Sequence, residues 1–86
     1  MDIIKVSSRS VPKSVAGAIA AAVREEGAAE VQSVGAGATN QAVKAIAIAR
    51  VFLSESGIEA VCLPSFAQLN VSREEKTGIK FIVEKR

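Results

Sequence analysis

The stretch Glu30–Arg50 reads EVQSVGAGATNQAVKAIAIAR, and its pattern decides the fold. Its first five residues, in which a valine sits among polar neighbours, predict a short β-strand. The Gly-Ala-Gly sequence that begins at Gly35 predicts a flexible turn. Thr39 or Asn40 can cap a helix that we expect to end near Leu53. A strand that leads into a helix in this way is typical of crossover connections between parallel strands.

The flanking segments extend this pattern to the element order βαβαββ. Strands that alternate with helices require at least one parallel pair, so the order predicts a two-layer α/β (α+β) fold, a four-stranded mixed sheet with two helices on one face. Residues 1–86 fit one domain, because a chain of this length supports a single core. The other elements are predicted as strand Ile3–Ser8, helix Pro12 to about Glu26, strand Ile58–Leu63 bent at Pro64 and continued by Phe66, Leu69 and Val71, a charged hairpin tip Ser72–Lys76, and strand Ile79–Val83.

The predicted second helix carries two apolar stripes instead of one. At about 100° per residue, a narrow stripe holds Val43, Ala47 and Val51. Exposed apolar patches often mark interfaces, so we hypothesise that this stripe packs against another subunit. A loop or the sheet edge covering the stripe is the alternative. The wide stripe, which predicts the core face, holds Ala42, Ala45, Ile46, Ile48, Ala49, Phe52 and Leu53.

The composition favours oligomerisation and argues against catalysis. There is no Trp or Tyr and there are only 3 Phe, so the apolar residues are mostly small or β-branched and each buries little area. Small cores of this kind are often stabilised by association, and we expect a homodimer or tetramer. Without histidine, no Ser–His–Asp or Cys–His arrangement can form. We therefore predict no enzyme activity, no cofactor and no metal.

Basic residues indicate where an anionic polymer would bind. The 11 basic and 9 acidic residues give a net charge of +2, which permits a nucleic-acid partner without demanding one. Arg9 and Lys13 surround the first strand-to-helix link, and Arg73 and Lys76 lie at the predicted hairpin. Both segments can project as arms, so these four cations are candidates for phosphate contacts. Ordinary solubilising charge is the alternative.

The glycine turn at Gly35 is a second candidate site, because backbone N–H groups at a helix N-terminus can bind an anion. Its pattern is only G-x-G, without the third glycine of a dinucleotide fingerprint or the lysine of a P-loop. A tight connection that permits close packing is the simpler interpretation. Asn40 and Gln41 are predicted polar contacts to nucleic acid beside it.

Other features of the chain point to the cytoplasm. Asp2 and Lys5 interrupt the first apolar run, which therefore does not resemble a signal peptide. No stretch approaches the ~20 apolar residues that span a bilayer. The lone Cys62 cannot form an internal disulfide, which fits a reducing compartment. We expect a cytoplasmic protein with no membrane association.

The segment Ser14–Arg50, SVAGAIAAAVREEGAAEVQSVGAGATNQAVKAIAIAR, closely resembles the bacterial stage V sporulation protein S family. The flanking stretches IKVSSRSVPKSVAGA, GIEAVCLPSF and TGIKFIVEKR agree as well, so the resemblance covers essentially the whole chain. It implies a small cytoplasmic protein needed for spore development, or a relative with another regulatory role.

The element order, and a glycine turn that leads into NQAVKAIAIAR, also look like the Alba chromatin proteins. Those proteins are βαβαββ dimers that bind DNA or RNA. A similar arrangement occurs in the C-terminal domain of bacterial translation initiation factor three. This more distant resemblance implies the Alba-like fold and a nucleic-acid partner.

Three functional hypotheses follow from the sequence. The first is a non-enzymatic, sporulation-related regulator that binds DNA or RNA as a homo-oligomer. The second is a protein-interaction regulator without a nucleic-acid partner, which the low net charge and the apolar stripe favour. The third is a binder of a small anionic ligand at the glycine turn.

Overall fold

The alternation of short strands with helices gives the predicted order βαβαββ in the computed structural model, which describes residues 1–86. The elements are β1 Asp2–Val6, α1 Pro12–Glu26, β2 Ala28–Ser33, α2 Ala36–Ser54, β3 Ala60–Val71 and β4 Glu74–Lys85. The strands form one mixed sheet in the order β1-β2-β4-β3. β1 pairs with β2 in parallel, and the other two pairs are antiparallel. The predicted fold class is confirmed.

The core lies between the sheet and the two helices. Alternation along β2 places Ala29 and Val31 under the helices, where both are fully buried, while Glu30 and Gln32 lie on the open face. On β4, Phe81 and Val83 share the helix-facing side, because alternate residues of a strand point to the same face of the sheet. Alanines line the contact between α1 and α2, and their small side chains let the helices approach closely. The buried alanines of the two helices are Ala16, Ala20, Ala22, Ala38, Ala42, Ala45 and Ala49.

Helix α1 has the predicted bounds because local signals define both of its ends. Pro12 occupies the first helical position, where its missing N–H costs nothing. Gly27 follows the last turn with φ 88°, and its N–H donates to the Val23 carbonyl at 2.9 Å. Only glycine adopts this left-handed conformation without a steric cost, so the chain leaves the helix here.

Helix α2 begins four residues earlier than the sequence predicts. Gly35, with φ 90°, is the N-cap residue, and Ala36 and Gly37 already belong to the helix. The predicted Gly-Ala-Gly turn and the predicted cap at Thr39 or Asn40 are therefore wrong. The Thr39 hydroxyl instead shares a hydrogen bond of 2.9 Å with the Ser33 hydroxyl, which ties the first turn of α2 to the end of β2.

The strands also differ from their predicted bounds. β1 ends at Val6, and β2 begins at Ala28, two residues before the predicted start. β3 and β4 are 12 residues each, and β3 runs through Pro64 without interruption. Pro64 is tolerated because β3 is an edge strand, where a residue without an N–H does not remove a central ladder bond.

Candidate nucleic-acid interface

The parallel strands β1 and β2 end on the same side of the molecule, at Val6 and Ser33, and we call this side the carboxyl end of the sheet. Loop 1, residues 7–11, leaves from it, and both helices begin beside it. The pairing of β2 with β4 stops at Ser33 and Ile79, whereas β3 and β4 continue to pair for five more residue pairs. The resulting arm, residues 67–78, projects roughly 16 Å beyond the sheet.

The arm ends in a two-residue turn formed by Ser72 and Arg73. Glu74 already belongs to β4, so the predicted five-residue charged tip is wrong. Both turn residues have positive φ, 51° and 67°, as in a type I′ hairpin turn. Asn-Gly is the preferred pair for such a turn, because glycine has no β-carbon and asparagine tolerates the left-handed conformation, whereas most other side chains are strained there. The chain accepts this strain while presenting an arginine at the end of the arm.

Close backbone approaches fix loop 1 and the arm. A β-carbon added at Gly37 would lie 3.1 Å from the Ser8 β-carbon, so the first turn of α2 packs tightly on loop 1. A β-carbon added at Gly78 would lie 2.5 Å from the Ser33 carbonyl oxygen and 2.8 Å from the Leu69 side chain. Gly78 therefore requires glycine, whereas at Gly37 a side chain would force Ser8 to shift by a few tenths of an ångström.

Hydrogen bonds within loop 1 add to this rigidity. The Ser7 N–H donates to the Ser10 hydroxyl at 2.9 Å, and the Ser10 N–H donates to the Ser7 carbonyl at 3.1 Å. The Arg9 N–H donates to the Ser7 hydroxyl at 3.2 Å. Gln41 Nε2 on α2 donates to the Ser10 carbonyl at 2.9 Å. Arg9 is therefore presented from a braced turn.

The six residues predicted to contact nucleic acid lie on segments at this end. Arg9 is in loop 1 and Lys13 is in the first turn of α1; both are exposed. Asn40 is exposed in the first half of α2. Lys76 on the arm lies 3.8 Å from Glu74, an exposed ion pair that contributes little. Arg73 lies at the tip of the arm, and Gln41 lies against loop 1.

The low net charge conceals a separation of charge along the molecule. A plane that crosses the strands between Glu30 and Gln32 leaves six basic and two acidic residues on the half with the carboxyl end, a net charge of +4, and four basic and seven acidic residues on the other half, a net charge of −3. Lys44 lies midway along α2, between the Thr39–Ser33 and Arg50–Ala60 hydrogen bonds, and is assigned to neither half. The positive half holds Lys5, Arg9, Lys13, Arg73, Lys76 and Lys80 with Glu74 and Glu75. The negative half holds Arg24, Arg50, Lys85 and Arg86 with Asp2, Glu25, Glu26, Glu30, Glu55, Glu59 and Glu84. An anionic polymer is attracted to the first half and repelled by the second.

A cleft of about 330 Å³ opens between loop 1, the end of β2, the first turn of α2 and the arm. Lys5 lines it, and the sequence interpretation missed this residue. Alternation in β1 assigns Lys5 to the open face of the sheet. The rule that binding sites form outside the carboxyl ends of parallel strands could have assigned it to a site.

A second surface flanks the edge strand. Val43 and Val51 are 51% and 58% exposed on α2, with Ala47 exposed between them. Arg50 Nε donates to the Ala60 carbonyl of β3 at 2.9 Å, which places this side of α2 toward the edge strand. There Pro64 is exposed and Phe66 is 80% exposed, although both lie on the helix-facing side of β3. We call the surface formed by Val43, Ala47, Val51, Pro64 and Phe66 the apolar shelf.

The remaining observations concern the cysteine, the metal-ligating side chains and the two helices. Burial raises the pKa of the Cys62 thiol, which keeps it protonated near neutral pH and lowers its reactivity. No three metal-ligating side chains cluster in the structure. Neither helix has the length and apolar character required to cross a membrane.

Comparison with solved structures first defines the class. Alba from Thermoplasma volcanium superposes with a TM-score of 0.59 and covers 96% of both chains at 14% sequence identity, a likeness that shows the Alba fold. The family is defined by sequence. A family model described as Stage V sporulation protein S (SpoVS) matches residues 2–86. The chain belongs to the SpoVS family, and the resemblances seen in the sequence are confirmed at the level of family and fold.

Proposed function

We propose that this protein is a non-enzymatic regulator in sporulation-related development that binds DNA or RNA as a homo-oligomer. Membership of the SpoVS family supports the developmental role. The Alba fold supports a nucleic-acid partner, because the Alba resemblance implies one. A free cysteine fits the reducing cytoplasm, where we place its action.

The separation of charge between the two halves carries this proposal. A net charge of +4 on one half favours contact with a phosphate backbone through counterion release, although the whole chain carries only +2. The cations also come from independent segments. Arg9 and Lys13 lie at the first link and Arg73 lies at the tip of the arm, so they can contact phosphates at separated positions.

The contacts we expect are mainly with the backbone of the nucleic acid. Arg9, Lys13, Arg73 and Lys76 contact phosphates, and Asn40 provides a polar contact. The Gln41 side chain donates to loop 1, so its main role is to position Arg9. The positive half has no exposed aromatic side chain except Phe66, and Phe66 belongs to the apolar shelf. Base stacking on aromatic residues is therefore not part of the proposed binding mode.

Charge reversal with a matched control tests the binding proposal. Arg9→Glu with Lys13→Glu removes cations at the carboxyl end, and Lys85→Glu with Arg86→Glu makes the same change in net charge at the opposite end. Affinity for duplex DNA, single-stranded DNA and RNA is measured across a salt series. We expect the first pair to lower affinity and flatten the salt slope by about 0.9 per lost phosphate contact on duplex DNA. Equal losses for the two pairs, or no salt-sensitive binding by the unmodified protein, would contradict the proposal.

The apolar shelf supports the homo-oligomer. Its side chains remain solvent-exposed in the isolated chain, and an exposed group of large apolar residues is an expected feature of an interface. Association through the shelf places two positive halves in one particle and doubles the phosphate contacts. Val51→Asp should lower the mass measured by light scattering to the 8.9 kDa of one chain, whereas Ala21→Asp on the exposed side of α1 should leave the oligomer intact. An unmodified protein that is already monomeric would refute the oligomer.

A protein partner is the second candidate, and the apolar shelf is the observation that favours it. In that case the shelf binds another protein, and nucleic acid is not involved. Recovery of a partner with the tagged chain after nuclease treatment, together with loss of that partner in Val51→Asp, would favour this function. Loss of all bound material on nuclease treatment would favour nucleic acid.

A further inference from the structure

The cleft beside Lys5 has two chemically different walls. Its polar wall is formed by Lys5, Ser7, Ser10 and Gln32, and its apolar wall is formed by Val34, Leu69 and Val71. Asn70 lies at the cleft as well and offers both a donor and an acceptor. The cation and hydroxyls of the polar wall suit the anionic end of a ligand. The aliphatic side chains of the opposite wall suit an apolar end of the same ligand.

The charge of the cleft is not neutralised within the chain. The Lys5 ammonium has no carboxylate within the 4.0 Å of a salt bridge. The nearest acidic residue along the open face of β2 is Glu30, and its Oε2 accepts a hydrogen bond from Gln32 Nε2 at 2.6 Å. Glu30 does not line the cleft. An incoming anion therefore meets one unpaired cation and no carboxylate.

Close contacts tie both sides of the cleft to the body of the protein. The Ser7–Ser10 hydrogen bonds and the Gln41 tether fix loop 1 on one side. On the other side, Leu69 is packed against Gly78 so closely that an added β-carbon would lie 2.8 Å from its Cδ1. A rigid site loses less entropy on binding a small ligand. The volume of about 330 Å³ lies at the lower end of the range for small-molecule sites.

We propose that this cleft binds a single nucleotide, with the phosphate on Lys5 and the serines and the base against Leu69 and Val71. A bare phosphate would leave the apolar wall unfilled, whereas a base covers it and places its polar edge near Asn70. The cleft opens at the positive half, so the nucleotide is either free or an unpaired unit of a single strand. The single-strand case rests on the proposed function, and the free-nucleotide case does not.

The test uses the four nucleoside 5′-monophosphates, the matching nucleosides and inorganic phosphate as separate probes. Binding is followed by amide NMR shifts and by titration calorimetry on the full chain. We expect at least one monophosphate to bind saturably, with shifts centred on Ser7, Ser33 and Asn70, and more tightly than its nucleoside or phosphate. Lys5→Gln should weaken it about tenfold or more, the effect of losing a charge-assisted hydrogen bond. Lys80→Gln, the same change on the open face but outside the cleft, should leave affinity unchanged.

Absence of saturable binding, equal affinity for phosphate alone, or equal effects of Lys5→Gln and Lys80→Gln would overturn the proposal. Competition identifies the source of the nucleotide: displacement of a labelled single strand by the free monophosphate supports the polymer, and saturable binding without displacement supports the free nucleotide. Duplex binding that persists without any nucleotide binding would contradict nucleotide binding in the cleft and would still support the proposed function. Nucleotide binding without any polymer binding would support nucleotide binding in the cleft and contradict the proposed function.

Discussion

The strained turn at the tip of the arm predicts a trade-off between stability and binding. Arg73 has φ 67°, a left-handed conformation that costs a residue with a β-carbon roughly 1–2 kcal/mol. Arg73→Gly removes this cost. The greater freedom of glycine in the unfolded chain lowers the free energy of unfolding by about 0.4–1 kcal/mol and so offsets part of the gain. The expected net gain in the free energy of unfolding is therefore about 1 kcal/mol. For a chain of 86 residues this raises Tm by roughly 4–8 °C.

The same substitution should weaken nucleic-acid binding. Arg73→Gly removes one phosphate contact for each subunit, so the salt slope on duplex DNA falls by about 0.9 per subunit. Ser72→Asn is the matched control, because asparagine tolerates the left-handed conformation and Arg73 is retained. This control should raise Tm without changing affinity.

Thermal denaturation by circular dichroism at one fixed protein concentration measures the stability, since Tm of an oligomer depends on concentration. Fluorescence anisotropy across a salt series measures the binding. An Arg73→Gly protein that is less stable than the original would refute the account of the turn. A more stable protein with unchanged affinity and salt slope would refute the role of Arg73 in binding.

Three further predictions concern other parts of the molecule. Gly78→Ala should destabilise the fold by about 1–3 kcal/mol, measured by urea unfolding, because its β-carbon collides with the Ser33 carbonyl; a neutral effect would show that the arm shifts freely. Gln41→Ala should cost about 1 kcal/mol through the lost bond to Ser10 and should broaden the NMR signals of loop 1, and unchanged signals would argue against the tether. The Cys62 thiol should react with a disulfide reagent at a higher midpoint pH in the folded protein than in urea, since its pKa is raised by burial, and equal midpoints would contradict this.

The sequence predicts the elements whose ends are defined by local chemistry. Pro12 and Gly27 set both ends of α1, and the alternation of Phe81 and Val83 assigns the buried side of β4. The early start of α2 has no such local signal. Gly35 caps it without a side-chain hydrogen bond, and the helix is held instead by the bond between Thr39 and Ser33, a contact between elements.

Features that depend on pairing between distant residues cannot be predicted from the sequence for the same reason. The β4 side of the arm, Glu74 to Thr77, is polar and pairs only with β3, so no hydrophobic alternation marks where β4 begins. Ser72 and Arg73 are not the residues that a type I′ turn normally selects, so the turn carries no signature. Lys5 is identifiable as an open-face residue from alternation alone, but the cleft it lines depends on Leu69 and Asn70, more than 60 positions along the chain.

The position of Pro64 has a consequence for how copies of this protein associate. β3 is an edge strand of 12 residues, and a bare edge of that length is a template on which a strand from another chain can add. Proline supplies no N–H, so the row of donors along this edge is interrupted near its middle and a foreign strand cannot pair along its whole length. Self-assembly is thereby directed toward interfaces made by side chains, and a route to open-ended fibrils is blocked.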